Sequence, residues 1–438
     1  MWRRFGLSIV TVILYIFISS VVIVLAQGYT VDLQTRKFLT TGLAEINTFP
    51  SGAVVTVDGV DIKKTTPVNL SHYLPGTYTV DMAYSGYQNV SFPIDIVSEL
   101  VTHVDEVALF PRGDNWRNLQ MSSSVLKIEA FPGAEMLLVK NADGIGWWIL
   151  QKRTLVKVYF LPVGVNAKYS CTVLGDACIV VDGNQAYFVD VLHHLSKKLK
   201  GIPVFQNTRS LYKFHGDYVV FAKQGGDITM QKLSADGTIS MQIFEEGVDA
   251  FQVSGQDVWF VKNSVLWKQS LISGLPQKIT EEDTADGKVE KLFVLADYVI
   301  WQKTTGEAVL FDTSLEAIMN IWSHATVFDH GEEGLALTQN AKIWFISPKK
   351  GLLFSGQAAH DVIMLEPYSK VEWLAKLQDG HYALVLVEPA KILPIENDFA
   401  DIAIIPYKGI IATTQGTSDT LFYHLFPEQS WMNTLINN

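Results

Sequence analysis

Hydrophobic and polar positions along the chain fall into three regimes. From Phe5 to Ala26 an apolar run carries no charged residue, and it is about as long as the roughly 20 residues a bilayer core requires; it predicts a membrane-spanning helix over 5–26. From about Thr41 to Pro111 the pattern turns into short alternating stretches cut by Gly and Pro, the mark of strands joined by tight turns. Strands are expected at 43–48, 53–57, 76–84, 88–96 and 101–109, with Pro50-Ser51-Gly52 and Asp58-Gly59 supplying the fixed and the positive φ that tight turns need. From Val125 to the end one theme recurs: a short strand, a turn, a continuous apolar strand, and one or two strands more.

That theme is clearest at 210–222, 249–261 and 292–301, with weaker copies at 134–139, 169–181, 334–338, 373–387 and 402–413. Measured at the turn, Asp176, Asp217, Asp257 and Asp297 stand about 40 residues apart, the length of a WD40-like, four-stranded propeller blade. A seven- or eight-bladed β-propeller is therefore expected over 125–438. Blades stack face to face, so both sides of an inner strand are buried and strict alternation is lost, as it is at 218–222, 258–261 and 298–301. The spacing shortens to about 29 residues between Asp379-Gly380 and Lys408-Gly409, so the last unit is expected to lack a strand and to borrow 125–131. A pair of sandwiches or a β-helix fits the period less well. Beyond the N-terminal run the only room for a helical turn or two is at 190–200. The fold class is all-β.

Arg3 and Arg4 are the only charges before Asp32, which favours a cytoplasmic tail at 1–4 and an extracytoplasmic bulk; Arg36 and Lys37 tie the simple count from the other side. The competing reading of 5–26 is a cleaved signal peptide ending at Val24-Leu25-Ala26, although such apolar regions usually run only about 7–15 residues. A buried core helix is the remaining alternative, and the place of this stripe-free run at the extreme N-terminus, behind Arg3 and Arg4, argues against it. Linkers are expected at 27–41 and 112–124.

Within the second regime the stretch Ile46-Asn47-Thr48-Phe49-Pro50-Ser51-Gly52-Ala53, followed by Val54-Val55-Thr56-Val57-Asp58-Gly59, resembles the opening of the PEGA domain, with Pro50, Gly52 and Ala53 at its fixed positions. Thr66-Pro67, then Leu74-Pro75-Gly76-Thr77-Tyr78-Thr79-Val80, are similar to its later elements, and the aromatic pair Tyr84 and Tyr87 follows. Ser51 stands where the name-giving motif is acidic. The resemblance, over about 42–111, implies a small non-catalytic β-sandwich of envelope proteins and brings no catalytic residues. Pro50, Gly52, Ala53, Pro67, Pro75, Gly76 and Tyr78 are thus read as structural, since Pro presets a turn, Gly permits it and Ala fits where strands pack closely.

Composition narrows the function. With 48% hydrophobic and 18% charged residues the chain of 438 residues is no disordered polymer. A net charge of −11 offers no basic footprint for nucleic acid. Removing Arg3 and Arg4 leaves 32 basic and 45 acidic residues outside the tail, a balance of −13. The two cysteines, Cys171 and Cys178, are too few for a disulfide scaffold or an all-cysteine zinc site. If Leu174-Gly175 forms the hairpin loop they stand opposite each other across two strands, within reach of a disulfide or packed as two thiols.

Other chemistry is sparse. His193-His194 would diverge on a strand, and no HExxH is present. Asn141-Ala-Asp-Gly, Ser234-Ala-Asp-Gly and Thr284-Ala-Asp-Gly lack the carboxylates of a calcium cage and read as turns. Asp176 and Asp217 recur in the same place and read as turn-stabilising. Arg112-Gly113-Asp114 is a three-residue match to an adhesion motif in a polar link. Nucleophile-elbow, Walker and dinucleotide motifs are missing, and neither a cofactor nor a metal is expected. The expectation is a single-pass, outward-facing cell-envelope protein in which a PEGA-like spacer presents a non-catalytic propeller to a protein or cell-wall polysaccharide. The alternative is a propeller hydrolase or lyase acting on extracytoplasmic peptides or glycans, with acidic residues converging from several blades.

Overall fold

The structure, a computed structural model, describes residues 14–19, 29–32 and 37–425, apart from segments at 113–115, 132–135, 152–153, 207–209, 215, 273, 281–287, 330–333, 348–350, 368–371, 388–390, 396–398, 406–408 and 415–418. Residues 14–19 are helical, but among the described residues no helix is long and apolar enough to cross a membrane. The spanning helix expected over 5–26 finds no support there, and most of that run, with the Ala26-Gln27 junction, lies outside the described residues. Where a linker was expected at 27–41, Tyr29–Asp32 pairs antiparallel with Lys37–Thr40.

The chain divides into two compact units, residues 1–115 with 427–438 and residues 116–426. In the first, Gly42–Phe49 runs between antiparallel Val68–Tyr73 and parallel Val101–Ala108, and a four-stranded sheet follows the order Val60–Thr65, Val54–Val57, Gly76–Ala83, Val90–Ile96. Strict alternation produces this sandwich: Val90–Ile96 buries every second residue, and Ala44, Ile46, Val55, Val80, Met82 and Phe92 are wholly buried. Two strands exceed the five expected. Val60–Thr65 is exposed along almost its whole length, so no apolar period marks it; Val68–Tyr73 follows directly on the Thr66-Pro67 turn.

The second unit holds eight four-stranded antiparallel sheets among the described residues. Seven are built from consecutive strands: the first spans Val125–Phe131, Met136–Asn141, Gly144–Gln151 and Thr154–Pro162, and the second Lys168–Cys171, Ala177–Asp182, Gln185–Asp190 and Leu195–Lys198. The eighth joins Phe399–Ile405, Gly409–Thr414 and Thr420–Leu425 to a strand from the other end of the unit, Arg117–Gln120. The last unit does borrow a strand, but it comes from the segment expected to be a linker at 112–124. The segment 125–131 instead opens the first sheet. Residues 190–200 are the turn and outer strand of the second sheet rather than helix.

Burial falls across each sheet. Second strands are enclosed on both faces, as in Met136–Asn141, Asp257–Lys262 and Leu335–Gln339. Fourth strands lie open, as in Leu195–Lys198 and Pro276–Lys278. Cores form between neighbouring sheets: Phe131, Trp147, Tyr169 and Val180 join the first to the second, and Leu137, Trp148, Ile411 and Leu421 join the first to the eighth. A polar tether recurs beside them. Lys140 Nζ donates to the Ala167 carbonyl at 2.7 Å and Gln302 Nε2 to the Ala325 carbonyl at 2.6 Å, while Lys223 and Lys376 reach the carbonyls of Asp249 and Ala400. In each case a second strand holds the entry to the next sheet. The fold of this unit is β-propeller-like.

Candidate functional site

The PEGA-like residues form a hydrogen-bonded knot. Gly52 N donates to the Thr66 carbonyl at 2.7 Å, Thr66 N to the Ala53 carbonyl at 2.9 Å, and Ala53 N to Thr66 Oγ1 at 3.0 Å. Thr48 Oγ1 donates to the Pro50 carbonyl at 2.8 Å and contacts Thr66 Oγ1. The Phe49-Pro50 and Thr66-Pro67 bonds are both cis, and Ala53 has no exposure. The Asp58-Gly59 turn has φ of 48° and 76° and is held by Asp58 Oδ1, which accepts from Thr79 N at 2.7 Å. Tyr78 donates its hydroxyl to the Leu74 carbonyl at 2.9 Å across Pro75 and Gly76. These residues spend their polar groups on each other.

Cys171 and Cys178 are register partners on adjacent strands and are joined as a disulfide, both sulfurs buried in the core between the first and second sheets. Their turn is closed by Gly175 N donating to the Thr172 carbonyl at 2.9 Å, and Thr172 Oγ1 donates to Asp176. Asp217, at the equivalent place in the third sheet, instead forms a 2.6 Å ion pair with Lys232 on the neighbouring strand. His193 Nδ1 lies 2.9 Å from Asp190 while His194 Nδ1 lies 2.8 Å from the Val158 carbonyl, so the two rings part. Asn141 Oδ1 accepts from Gly144 N at 2.9 Å, and Asp236 accepts from Thr238 N at 3.0 Å; both are turns. The Thr284 tetrad, Gly113 and Asp114 lie outside the described residues.

Two places carry chemistry that sequence reasoning missed. The first is a polar row on inner strands. Tyr169 donates its hydroxyl to Glu129 Oε2 at 2.7 Å, Lys127 Nζ bonds the same oxygen at 3.1 Å, and Lys127 also lies 5.3 Å from the Tyr169 ring centre. Asp401, in the eighth sheet, accepts from Ile128 N at 3.4 Å. Burial pushes its carboxyl above the usual range, opposed by the Ile128 bond and by Lys376 and Lys127. Burial, then the carboxylates of Asp401 and Glu366, raises the Tyr382 hydroxyl. Among the described residues no three His, Cys, Asp or Glu side chains gather as a metal ion requires.

The second is a cavity of about 260 Å³ where the chain crosses from Arg117–Gln120 to the first sheet, lined by Gln120, Ser122, Asn141, Trp148, Lys157 and Phe160. Successive side chains on a strand point to opposite faces. Trp147 therefore enters the core toward the second sheet and Trp148 the core toward the eighth. A β-bulge between Trp147 and Trp148 sets Lys157 directly opposite Trp148, as bulges re-aim side chains beside sites. Lys157 Nζ lies 5.7 Å from the Trp148 ring centre and 5.4 Å from that of Phe160, within cation–π range. Gly146 opens the space, because a Cβ there would lie 3.1 Å from Trp148 Nε1. The adjacent tryptophans were the available signal, one side chain for each face.

The PEGA domain family matches residues 41–107. No curated protein matches the chain. Among solved structures, the computationally designed Ika8 protein has 12% identity and a TM-score of 0.48, with 70% of this chain and 98% of that one covered. Saccharomyces cerevisiae Sqt1 has 10% identity and a TM-score of 0.46, covering 71% and 98%. YCF48 bound to D1 peptide has 9% identity and a TM-score of 0.41, covering 72% and 96%. The eight-sheet order stands independently of these likenesses.

Proposed function

We propose that the chain is a single-pass, membrane-anchored envelope protein whose PEGA domain is followed by a closed, eight-bladed propeller, and that this propeller binds an extracytoplasmic protein or a cell-wall glycan without catalysis. The observation that carries the reading is the use made of inner-strand polar groups. The tethers from Lys140, Lys223, Gln302 and Lys376 join one sheet to the next, so these groups serve the scaffold. Pairing of Arg117–Gln120 with Thr420–Leu425 supports closure, since an outer strand lent from the far end of the unit leaves the final sheet no shorter than the rest. The uncharged run 5–26 supports the anchor, and Arg3 and Arg4 support the outward orientation.

Protease shaving of intact cells tests the orientation, with digestion of the propeller expected and its protection overturning the assignment. Crosslinking in intact envelopes followed by capture tests the binding role: one enriched protein or glycan is expected. Turnover of peptide or glycan by the purified protein, with no enriched partner, would overturn it. The hydrolase reading is favoured by one feature, the raised carboxyl of Asp401 beside Lys376 and Lys127. Unchanged behaviour of Asp401→Asn in every turnover assay removes it.

A further inference from the structure

We infer that the end of the PEGA domain where the chain enters is a lipid-binding surface, seated in the headgroup layer of the bilayer; this rests on the anchor proposed above and says what that anchor holds against the lipid. The sandwich has two ends. Gly42–Phe49 starts beside Tyr73 and Val101 at one of them, where Gly76 also pairs with Ile96. At the other, Phe49 pairs with Ala108 and Val54 with Ala83. Among the described residues from Thr41 to Pro111 the exposed large hydrophobics are Val54, Val60, Leu74, Val97, Leu100 and Val101. Four of the six crowd the two connections of the entry end, Leu74 between Tyr73 and Gly76, and Val97, Leu100 and Val101 after Ile96. Tyr73 and Tyr78 stand with them, edge to face, their ring centres 5.1 Å apart. Tyrosine is enriched where a protein crosses from lipid to water.

The turn that carries three of these side chains is clamped to the entering strand. Glu99 N donates to the Thr41 carbonyl at 3.1 Å, Leu43 N to the Leu100 carbonyl at 3.1 Å, and Ser98 Oγ to Thr40 Oγ1 at 2.5 Å. Leu100 N donates to the Val97 carbonyl at 3.3 Å. With these backbone groups paired, the turn offers its aliphatic side chains without stranding amides in a medium poor in water. Glu99, the one charge of 97–101, holds it at headgroup depth, since an ionised side chain is costly in hydrocarbon. Register says how near the bilayer lies. Tyr29 pairs with Thr40, the partner of Ser98, and paired strands stand about 5 Å apart. The uncharged run ends at Ala26, and the three residues on to Tyr29 reach at most about 11 Å. A run that spans the membrane therefore keeps the surface of that membrane beside the Val97–Val101 turn, and the lipid is what covers it.

The test uses the full chain in phosphatidylcholine nanodiscs. Cys171 and Cys178 are joined and buried, so a single added cysteine takes an environment-sensitive fluorophore. The label goes to Leu100→Cys, and in a second protein to Val54→Cys, an exposed position at the opposite end. As lipid spin-labelled near the headgroup replaces plain lipid, position 100 should lose emission and position 54 should keep it. A label on Val97→Cys should be quenched in the same way, and adding Leu100→Asn with Val101→Asn, both exposed positions, should restore its emission. Equal quenching at 54 and 100, none at 100, or quenching at 97 that survives the two asparagines overturns the inference. Carbonate washing of cell membranes separates it from the anchor. If the chain stays with the washed membranes while position 100 is not quenched, the anchor stands and the seated end falls. If the chain is washed off, both fall.

Discussion

The buried hydroxyls of Ser170 and Ser210 lie 3.0 Å apart across 40 residues of chain, one repeat of the sequence pattern, and join the second sheet to the third. Ser170 Oγ also accepts the Ser210 backbone N–H at 3.0 Å. The pair is asymmetric, because Ser170 Oγ meets both the hydroxyl and the backbone N–H of Ser210.

Ser170→Ala therefore strips an acceptor from a buried backbone N–H, and a loss of about 1–3 kcal/mol is expected. Ser210→Ala keeps that N–H bond and should cost less. Urea unfolding of the two variants checks the order, and equal losses would contradict it.

Gly175 and Gly183 separate backbone strain from crowding. Both have positive φ, 71° and 54°, but a Cβ at Gly175 would meet the Phe131 ring at 2.6 Å while nothing lies within 4 Å at Gly183. Gly183→Ala should cost about 1 kcal/mol, the left-handed penalty alone. Gly175→Ala should cost clearly more, since Phe131 belongs to the neighbouring sheet and is itself fully buried. Thermal unfolding of the pair reads the difference.

Thr66 holds the PEGA turn through Gly52 N, Ala53 N and Thr48. Thr66→Val keeps the shape and removes the hydroxyl, so about 1–3 kcal/mol should be lost. Hydrogen exchange locates the effect: Val54–Val57 and Val68–Tyr73 should exchange faster while the eight sheets are unchanged. Uniform acceleration in both units would contradict a local role.

Asp401 gives stability a pH dependence of known sign. Burial raises its folded-state pKa above the unfolded value of about 3.9, so the native state holds the extra proton between the two. Stability then falls as pH rises through that window, and the full penalty is present at neutral pH. Asp401→Asn should be more stable than the parent at pH 7 and no more stable at pH 3. A gain of the same size at both would show that charge is not the cause.

Cys171 and Cys178 are both fully buried, so reductant should reach their bond only when the unit opens. Alkylation after reduction, followed by mass spectrometry across a urea series, should track unfolding. Labelling well below the transition would contradict burial.

What the chain shows of its fold depends on which strands are enclosed. Second strands such as Asp257–Lys262 bury both faces, and their continuous apolar runs mark the 40-residue period directly. Outer strands carry no such sign: Arg117–Gln120 and Leu195–Lys198 face solvent, so one reads as linker and the other as a helical turn. The PEGA turns and the facing cysteines are local, set by residues a few positions apart, and are legible. The cavity at Trp148 is not, because it depends on a bulge at Val158 and on Gln120 being held in the neighbouring eighth sheet by pairing with Thr420, 300 residues on.

The pairing of Arg117–Gln120 with Thr420–Leu425 also has a meaning in time. Gln120 meets Thr420 across 300 residues, and at roughly 5–20 residues per second of synthesis the early strand waits on the order of 15–60 seconds for its partner. During that wait Arg117–Gln120 has no partner strand, and once Gly409–Thr414 is made its outer side stays open until Thr420–Leu425 follows, an open edge of the kind that recruits other chains. A nascent chain stalled before residue 420 is therefore the aggregation-prone form of this protein, and holding it until the final strand emerges is a demand the fold places on whatever makes it.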